Sequence, residues 1–237
     1  MLIFKMEIAL FLQDVLLQVH NAAVKSGRKP EDIELVAVSK TVELERIKEA
    51  VIAGVRILGE NRVQEAKNKI EAFRQMDMPA IKWHMIGHLQ RNKVKLAVKL
   101  FDLIHSVDRF ELLKDINKEA ANLGKIQSVL IQVKLADEKT KLGLHPDKLL
   151  PLLEASEELE AVKIKGLMTM PPFFDDPEDS RPYFRQLHNI AIDMKKRGFP
   201  LLTLSMGMSN DFAVAIEEGA TMVRIGTAIF AERIRLT

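Results

Sequence analysis

The chain has 237 residues, 47% of them hydrophobic and 29% charged, enough apolar material for one large globular core. This composition excludes a disordered, collagen-like or disulfide-built protein, and the lack of any cysteine removes thiol catalysis, cysteine-ligated zinc and iron–sulfur chemistry. Lys and Arg nearly balance Asp and Glu, for a formal net charge of +2, so no basic field argues for nucleic acid.

The N-terminal stretch is apolar, but Lys5, Glu7, Gln13 and Asp14 interrupt it and no small-residue cleavage pattern follows. Ile8, Phe11, Leu12, Val15, Leu16 and Val19 recur at helical spacing, which predicts one amphipathic helix ending near Gly27. No stretch elsewhere approaches the ~20 apolar residues of a membrane span. The expectation is a cytoplasmic protein with no membrane and no nucleic-acid partner.

From there short apolar runs alternate with helical patterns to the end. The predicted strands are Leu35–Ser39, Val55–Leu58, Lys82–Ile86, Leu103–Val107, Ser128–Lys134, Lys163–Met168, Leu202–Ser205 and Met222–Ile225. The predicted helices between them are Leu44–Ala53, Arg62–Gln75, Gln90–Leu100, Arg109–Leu123, Pro146–Ser156, Asp179–Arg197, Asp211–Glu218 and one starting at Thr227. Strands that each lead into a helix indicate a parallel sheet. A (β/α)₈ barrel takes ~250 residues, and no Rossmann glycine fingerprint is present, so a single closed TIM barrel over residues 1–237 is favoured over a doubly wound open sheet. The longest predicted loop, Thr169–Glu178, carries three prolines and lies where barrels place their chemistry. It reads equally as a lid or as an extended connection with its two phenylalanines packed down.

Leu35-Val36-Ala37-Val38-Ser39 ends in Lys40. A lysine at the C-terminal end of a barrel strand is expected in a partly desolvated pocket, where the neutral amine attacks a carbonyl and forms a Schiff base. The plain alternative is a surface lysine. After the seventh and eighth strands come Leu204-Ser205-Met206-Gly207-Met208-Ser209-Asn210-Asp211 and Val223-Arg224-Ile225-Gly226-Thr227-Ala228. Small residues there let backbone N–H groups approach an anion, at the recurrent phosphate site of these barrels. Arg224 shares a strand face with Gly226 and needs a flat aromatic acceptor or an acid for company. Asn61 reads equally as a ligand donor and as the N-cap of the next helix. His84 and His88 stand four apart, but the strand pattern and Gly87 deny them one helical face and no third ligand is evident. No metal is assigned, and His84 reads as a core histidine or as one pointing into the site.

The blocks VAVSKT (Val36–Thr41), GENRVQEA (Gly59–Ala66), WHMIGHLQRNK (Trp83–Lys93), HSVD (His105–Asp108), GLMTM (Gly166–Met170), LSMGMSND (Leu204–Asp211) and VRIGTAIF (Val223–Phe230) together resemble the pyridoxal phosphate homeostasis protein family. The resemblance spans nearly the whole chain. It implies a barrel similar to the N-terminal domain of alanine racemase that carries pyridoxal 5′-phosphate (PLP), with no established catalytic activity. It places the Schiff-base lysine on Lys40 and the phosphate-binding serine on Ser209, with Ser205 and Met206 nearby. A second phosphate turn falls on Gly226 and Thr227, and the arginine facing the pyridine nitrogen falls on Arg224. Asn61 and His84 occupy matching blocks. Lys134 stands where many relatives carry asparagine, and Ala231 where glycine is usual.

An arginine opposite the pyridine nitrogen keeps that nitrogen unprotonated and mutes carbanion chemistry. Alanine racemase compensates with a tyrosine from another domain. The single tyrosine here, Tyr183, falls in a predicted helix of the outer ring, and no second domain is expected to bring another. The expectation is therefore a monomeric PLP carrier, with PLP-dependent apoenzymes as recipients and no catalytic residues. The alternatives are a weak amino-acid racemase using Lys40 and an acid such as His84, and an aldolase-type barrel without PLP.

Overall fold

The computed structural model describes residues 2–136 and 142–230, with side chains from Glu7 onward. The predicted Ala231 variation, and any part of the last helix beyond Phe230, lie outside them. Eight parallel strands close into a barrel in sequence order. They are β1 (Glu34–Val38), β2 (Ile57–Glu60), β3 (Lys82–Met85), β4 (Leu103–Val107), β5 (Gln127–Gln132), β6 (Val162–Met168), β7 (Thr203–Ser205) and β8 (Met222–Ile225). The helices are α1 (Leu2–Lys25), α2 (Leu44–Ile52), α3 (Val63–Arg74), α4 (Val94–Leu100), α5 (Phe110–Asn122), α6 (Leu149–Ser156), α7 (Arg181–Lys196), α8 (Phe212–Glu217) and α9 (Thr227–Phe230). Among the described residues no helix is long and apolar enough to cross a membrane.

Closure is made by β1 on β8, with Val36 opposite Arg224 and Ala37 opposite Ile225. Because strand side chains alternate, each strand presents one set inward and one outward. The outward set packs with the helices in one large core; the inward set begins with Val36, Ile57, Leu103, Leu130, Met168 and Met222, a small cluster of its own. On the same parity, His84, His105, Ser205 and Arg224 form the layer above those apolar residues. Lys40, Asn61 and Gly226 come next, toward the C-terminal mouth.

Helix α1 buries Ile8, Leu12, Val15, Val19 and Ala23 in the outer core. Just after it, Arg28 donates to Ile216 O at 3.2 Å and Ala220 O at 2.6 Å, which fastens this end of the helix to α8. The predicted strands match β4 and β8 in full, and the differences elsewhere have local causes. β2 starts two residues late because Val55 N–H donates to Ala50 O and so finishes α2. β5 stops at Gln132 because Lys134 N–H turns to Leu144 O. The loop from Thr169 is irregular as far as Asp176, whose carboxylate accepts Glu178 N–H and starts a 3₁₀ turn at Pro177–Ser180. Only one of its phenylalanines packs down: Phe174 stacks on Tyr183 of α7 at 5.9 Å, while Phe173 is exposed.

Candidate functional site

Lys40 lies two residues beyond the end of β1, at the third inward position after Val36 and Val38. Its side chain is exposed. The desolvated setting expected for it is therefore not what the structure shows, because the strand ends early and a turn lifts the residue into the open mouth. Gly226 sits beside β1, where a methyl group would meet Val38 Cβ at 3.3 Å. Lys40 and the turn after β8 thus open onto one mouth.

The two small-residue turns divide their work. After β7, Met208 N–H donates to the Asp211 carboxylate at 2.6 Å, so this loop supplies its own anion. Met206 is buried, and its N–H is taken up by Met222 O. After β8, Gly226 and Ala228 N–H groups point at Ser209 Oγ, at 3.3 and 3.4 Å. Both bonds are long, and a phosphate oxygen is a stronger acceptor than a hydroxyl. Thr227 is exposed between them. The donor set fits a phosphate group.

Beneath the mouth runs a chain of four buried polar side chains. Arg224 donates to Ser205 Oγ at 2.6 Å and to Thr169 O at 2.9 Å. Ser205 Oγ lies 3.0 Å from His105 Nδ1, and His105 Nε2 lies 3.1 Å from His84 Nδ1. Arginine only donates. The assignment that gives each of these contacts one donor and one acceptor, and the Ser205 hydroxyl proton a partner, runs from Arg224 through the Ser205 hydroxyl to His105 Nδ1, then from His105 Nε2–H to His84 Nδ1. Burial, helped by the Lys82 charge, lowers the His84 imidazole to about 3; burial, His84 and Arg224 hold His105 well below its usual range. Both rings are neutral near pH 7, so His84 has no imidazolium proton for the racemase alternative to use. Burial brings Arg224 down to about 10, with Asp211 pulling it up, and it stays charged at neutral pH. Its direct partners are a hydroxyl and a carbonyl, where the sequence suggested an aromatic ring or an acid.

Asn61 is half-buried and precedes the helix cap, which is Arg62; the N-cap role is not its own. Gly87 makes room for it: a Cβ there would meet Asn61 O at 2.3 Å. His88 lies near Asp108, with Nδ1 3.8 Å from Oδ2, and takes no part in the buried chain.

The structure thus brings Lys40, Asn61, Ser209, Gly226 and Thr227 to one end of the barrel, with His84, Ser205 and Arg224 below. Sequence reasoning left out His105, Thr169 and Gly87. His105 carried a signal, since it shares the parity of buried Leu103, but its partners lie on β3 and β7. Thr169 contributes through its carbonyl, which no side-chain pattern reports.

Residues 18–233 match the family model of the alanine racemase N-terminal domain. The chain is similar to the pyridoxal phosphate homeostasis protein of Aquifex aeolicus (strain VF5), 46% identical over 223 residues covering 94% of this chain and 96% of that protein. It is 40% identical over 215 residues to the protein of the same name from Pasteurella multocida (strain Pm70), covering 89% and 91%. Among solved structures it is similar to PipY of Synechococcus elongatus PCC7942 with PLP bound, at TM-score 0.83 and 36% identity over 94% of this chain and 99% of that one.

Proposed function

Because this chain belongs to the alanine racemase N-terminal-domain family and, within it, to the pyridoxal phosphate homeostasis proteins, we propose that it binds PLP and serves the cell's PLP balance by holding and releasing the cofactor. One observation carries the reading: an amine, on Lys40, and a set of N–H groups aimed at one acceptor, on Gly226 and Ala228, open onto the same barrel mouth above a buried arginine. When bound, the cofactor supplies an aldehyde that bonds an amine and a ring that draws electrons from it.

The residues then divide as follows. Lys40 would hold the cofactor covalently, and Ser209 with the Gly226–Thr227 turn would hold its phosphate. Asn61 offers its amide to a ring substituent. Arg224 would lie on the side of the ring nitrogen and, being a donor only, would keep it from gaining a proton. His84 and Ser205 would form the floor, next to Met206, whose side chain packs in the outer core. The neutral buried histidines beneath the mouth would offer no imidazolium proton, which favours holding over turnover. The same reading makes the protein a cytoplasmic monomer that passes PLP to apoenzymes.

The test is spectroscopic. Purified protein given PLP should develop a near-visible band that borohydride fixes as added mass on Lys40, and Lys40→Ala should abolish both. A protein that stays colourless with excess PLP rejects the reading. Rapid α-proton exchange on L- or D-amino acids in deuterated water would replace the carrier role with a racemase one.

A further inference from the structure

The turn that carries Lys40 is gripped from the outer face of the barrel by a buried charge cluster to which the cofactor reading assigns no task. Val42 N–H donates to Ser39 O at 3.0 Å, closing a four-residue turn with Thr41 in its third place at φ +60°. Among the described residues Thr41 is the only non-glycine with positive φ. That region suits glycine and is costly for a β-branched residue, so something must hold it there.

Lys69 of α3 supplies the hold. Its ammonium donates to Ser39 O at 2.6 Å, Glu60 Oε1 at 2.8 Å and Glu65 Oε1 at 2.7 Å, three donors on three acceptors. Glu65 Oε1 also accepts Thr41 N–H, and Ser39 Oγ donates to Glu60 Oε1 at 2.6 Å. The first and third residues of the turn are therefore tied to one cluster. Lys40 stands between them, and its bond within the described residues is its carbonyl accepting from Thr41 Oγ1. The cluster is not explained by stability alone. The Lys69 side chain is 11% exposed and Glu60 fully buried, with Glu60 Oε2 lacking a hydrogen-bond partner among the described residues, and buried ion pairs rarely repay their desolvation. What it secures is a backbone conformation.

We propose that Lys69, with Glu60 and Glu65, is a positioning residue that holds the strained Ser39–Val42 turn and thereby aims the Lys40 amine across the barrel mouth. An exposed lysine whose side chain has no partner among the described residues takes its direction from its backbone, and misplacement of a reacting atom by about 1 Å is costly. This rests on the PLP reading above.

The experiment follows the near-visible band after PLP is added, where the amine bonds the aldehyde carbon and one water leaves. Pyridoxine 5′-phosphate, which has an alcohol in place of the aldehyde, reports binding without that bond. Lys69→Met should slow the band about tenfold or more while leaving pyridoxine phosphate affinity within a few-fold. Glu65→Gln, a milder and partly exposed change, should slow it in the same sense. Adding Thr41→Gly to Lys69→Met should restore most of the rate, since glycine adopts positive φ without strain. A wild-type rate in both single variants overturns the proposal. So does equal loss of rate and pyridoxine phosphate affinity with no rescue by glycine, which would leave the cluster a purely structural role. A wild-type protein that forms no band, and shows no borohydride-fixed mass on Lys40, fails at the PLP reading itself.

Discussion

At the scale of single residues, the two buried histidines make the sharpest prediction. An unfolded histidine titrates near 6.5, whereas His84 is held at about 3 and His105 well below the usual value. Between these values the unfolded chain binds protons that the folded chain refuses, so stability is complete above the unfolded pKa and falls as the pH drops through that interval. His84 then contributes a loss of about 2 kcal/mol by pH 5, and His105 a further loss in the same sense. Glu60, raised by its burial against the pull of Lys69 and Ser39, works in the opposite sense. Urea melts at pH 7 and pH 5 should show a smaller loss for His105→Asn than for the wild type. Equal losses would mean that His105 is not kept neutral. Lys40 shows how residue identity and residue setting separate. Its chemistry follows from its type, but its exposure depends on where β1 stops.

At the scale of elements, the alternation of strands and helices was legible because its periods are local, 2 along a strand and 3.6 along a helix. The errors fall where a backbone N–H had a competing partner. Val55 reads as a strand residue by side chain, yet its N–H belongs to the end of α2. Gly87 shows a constraint that hydrophobic pattern cannot express. The segment after β3 passes so close to Asn61 that any Cβ would strike its backbone at 2.3–2.9 Å. Gly87→Ala should therefore cost about 1–3 kcal/mol and weaken PLP binding through displacement of Asn61. A urea melt and a PLP titration check the two parts, and wild-type values in both would show that the segment yields freely.

At the scale of the molecule, the closed sheet makes distant parts report on one another. Leu12 of α1 is 2% exposed and packs in the outer core, while the single tryptophan, Trp83, lies on β3. Leu12→Ala should remove about 2–5 kcal/mol of stability. If the barrel unfolds as one unit, the Trp83 fluorescence midpoint and the far-UV dichroism midpoint shift together. Separate shifts would show that α1 melts on its own.

The amino-acid order by itself determined the β/α alternation, the amine after the first strand and the small-residue turns after the seventh and eighth, all expressed within a few neighbouring residues. Only the tertiary structure decided which of these meet. The Arg224–Ser205–His105–His84 chain joins residues 19, 100 and 21 positions apart, and the Lys69 grip reaches 30 positions back to Ser39. Such contacts depend on strand register and on closure of β8 against β1. A one-residue slip would turn the same side chains from the barrel interior to the helix layer, so no local pattern carries them.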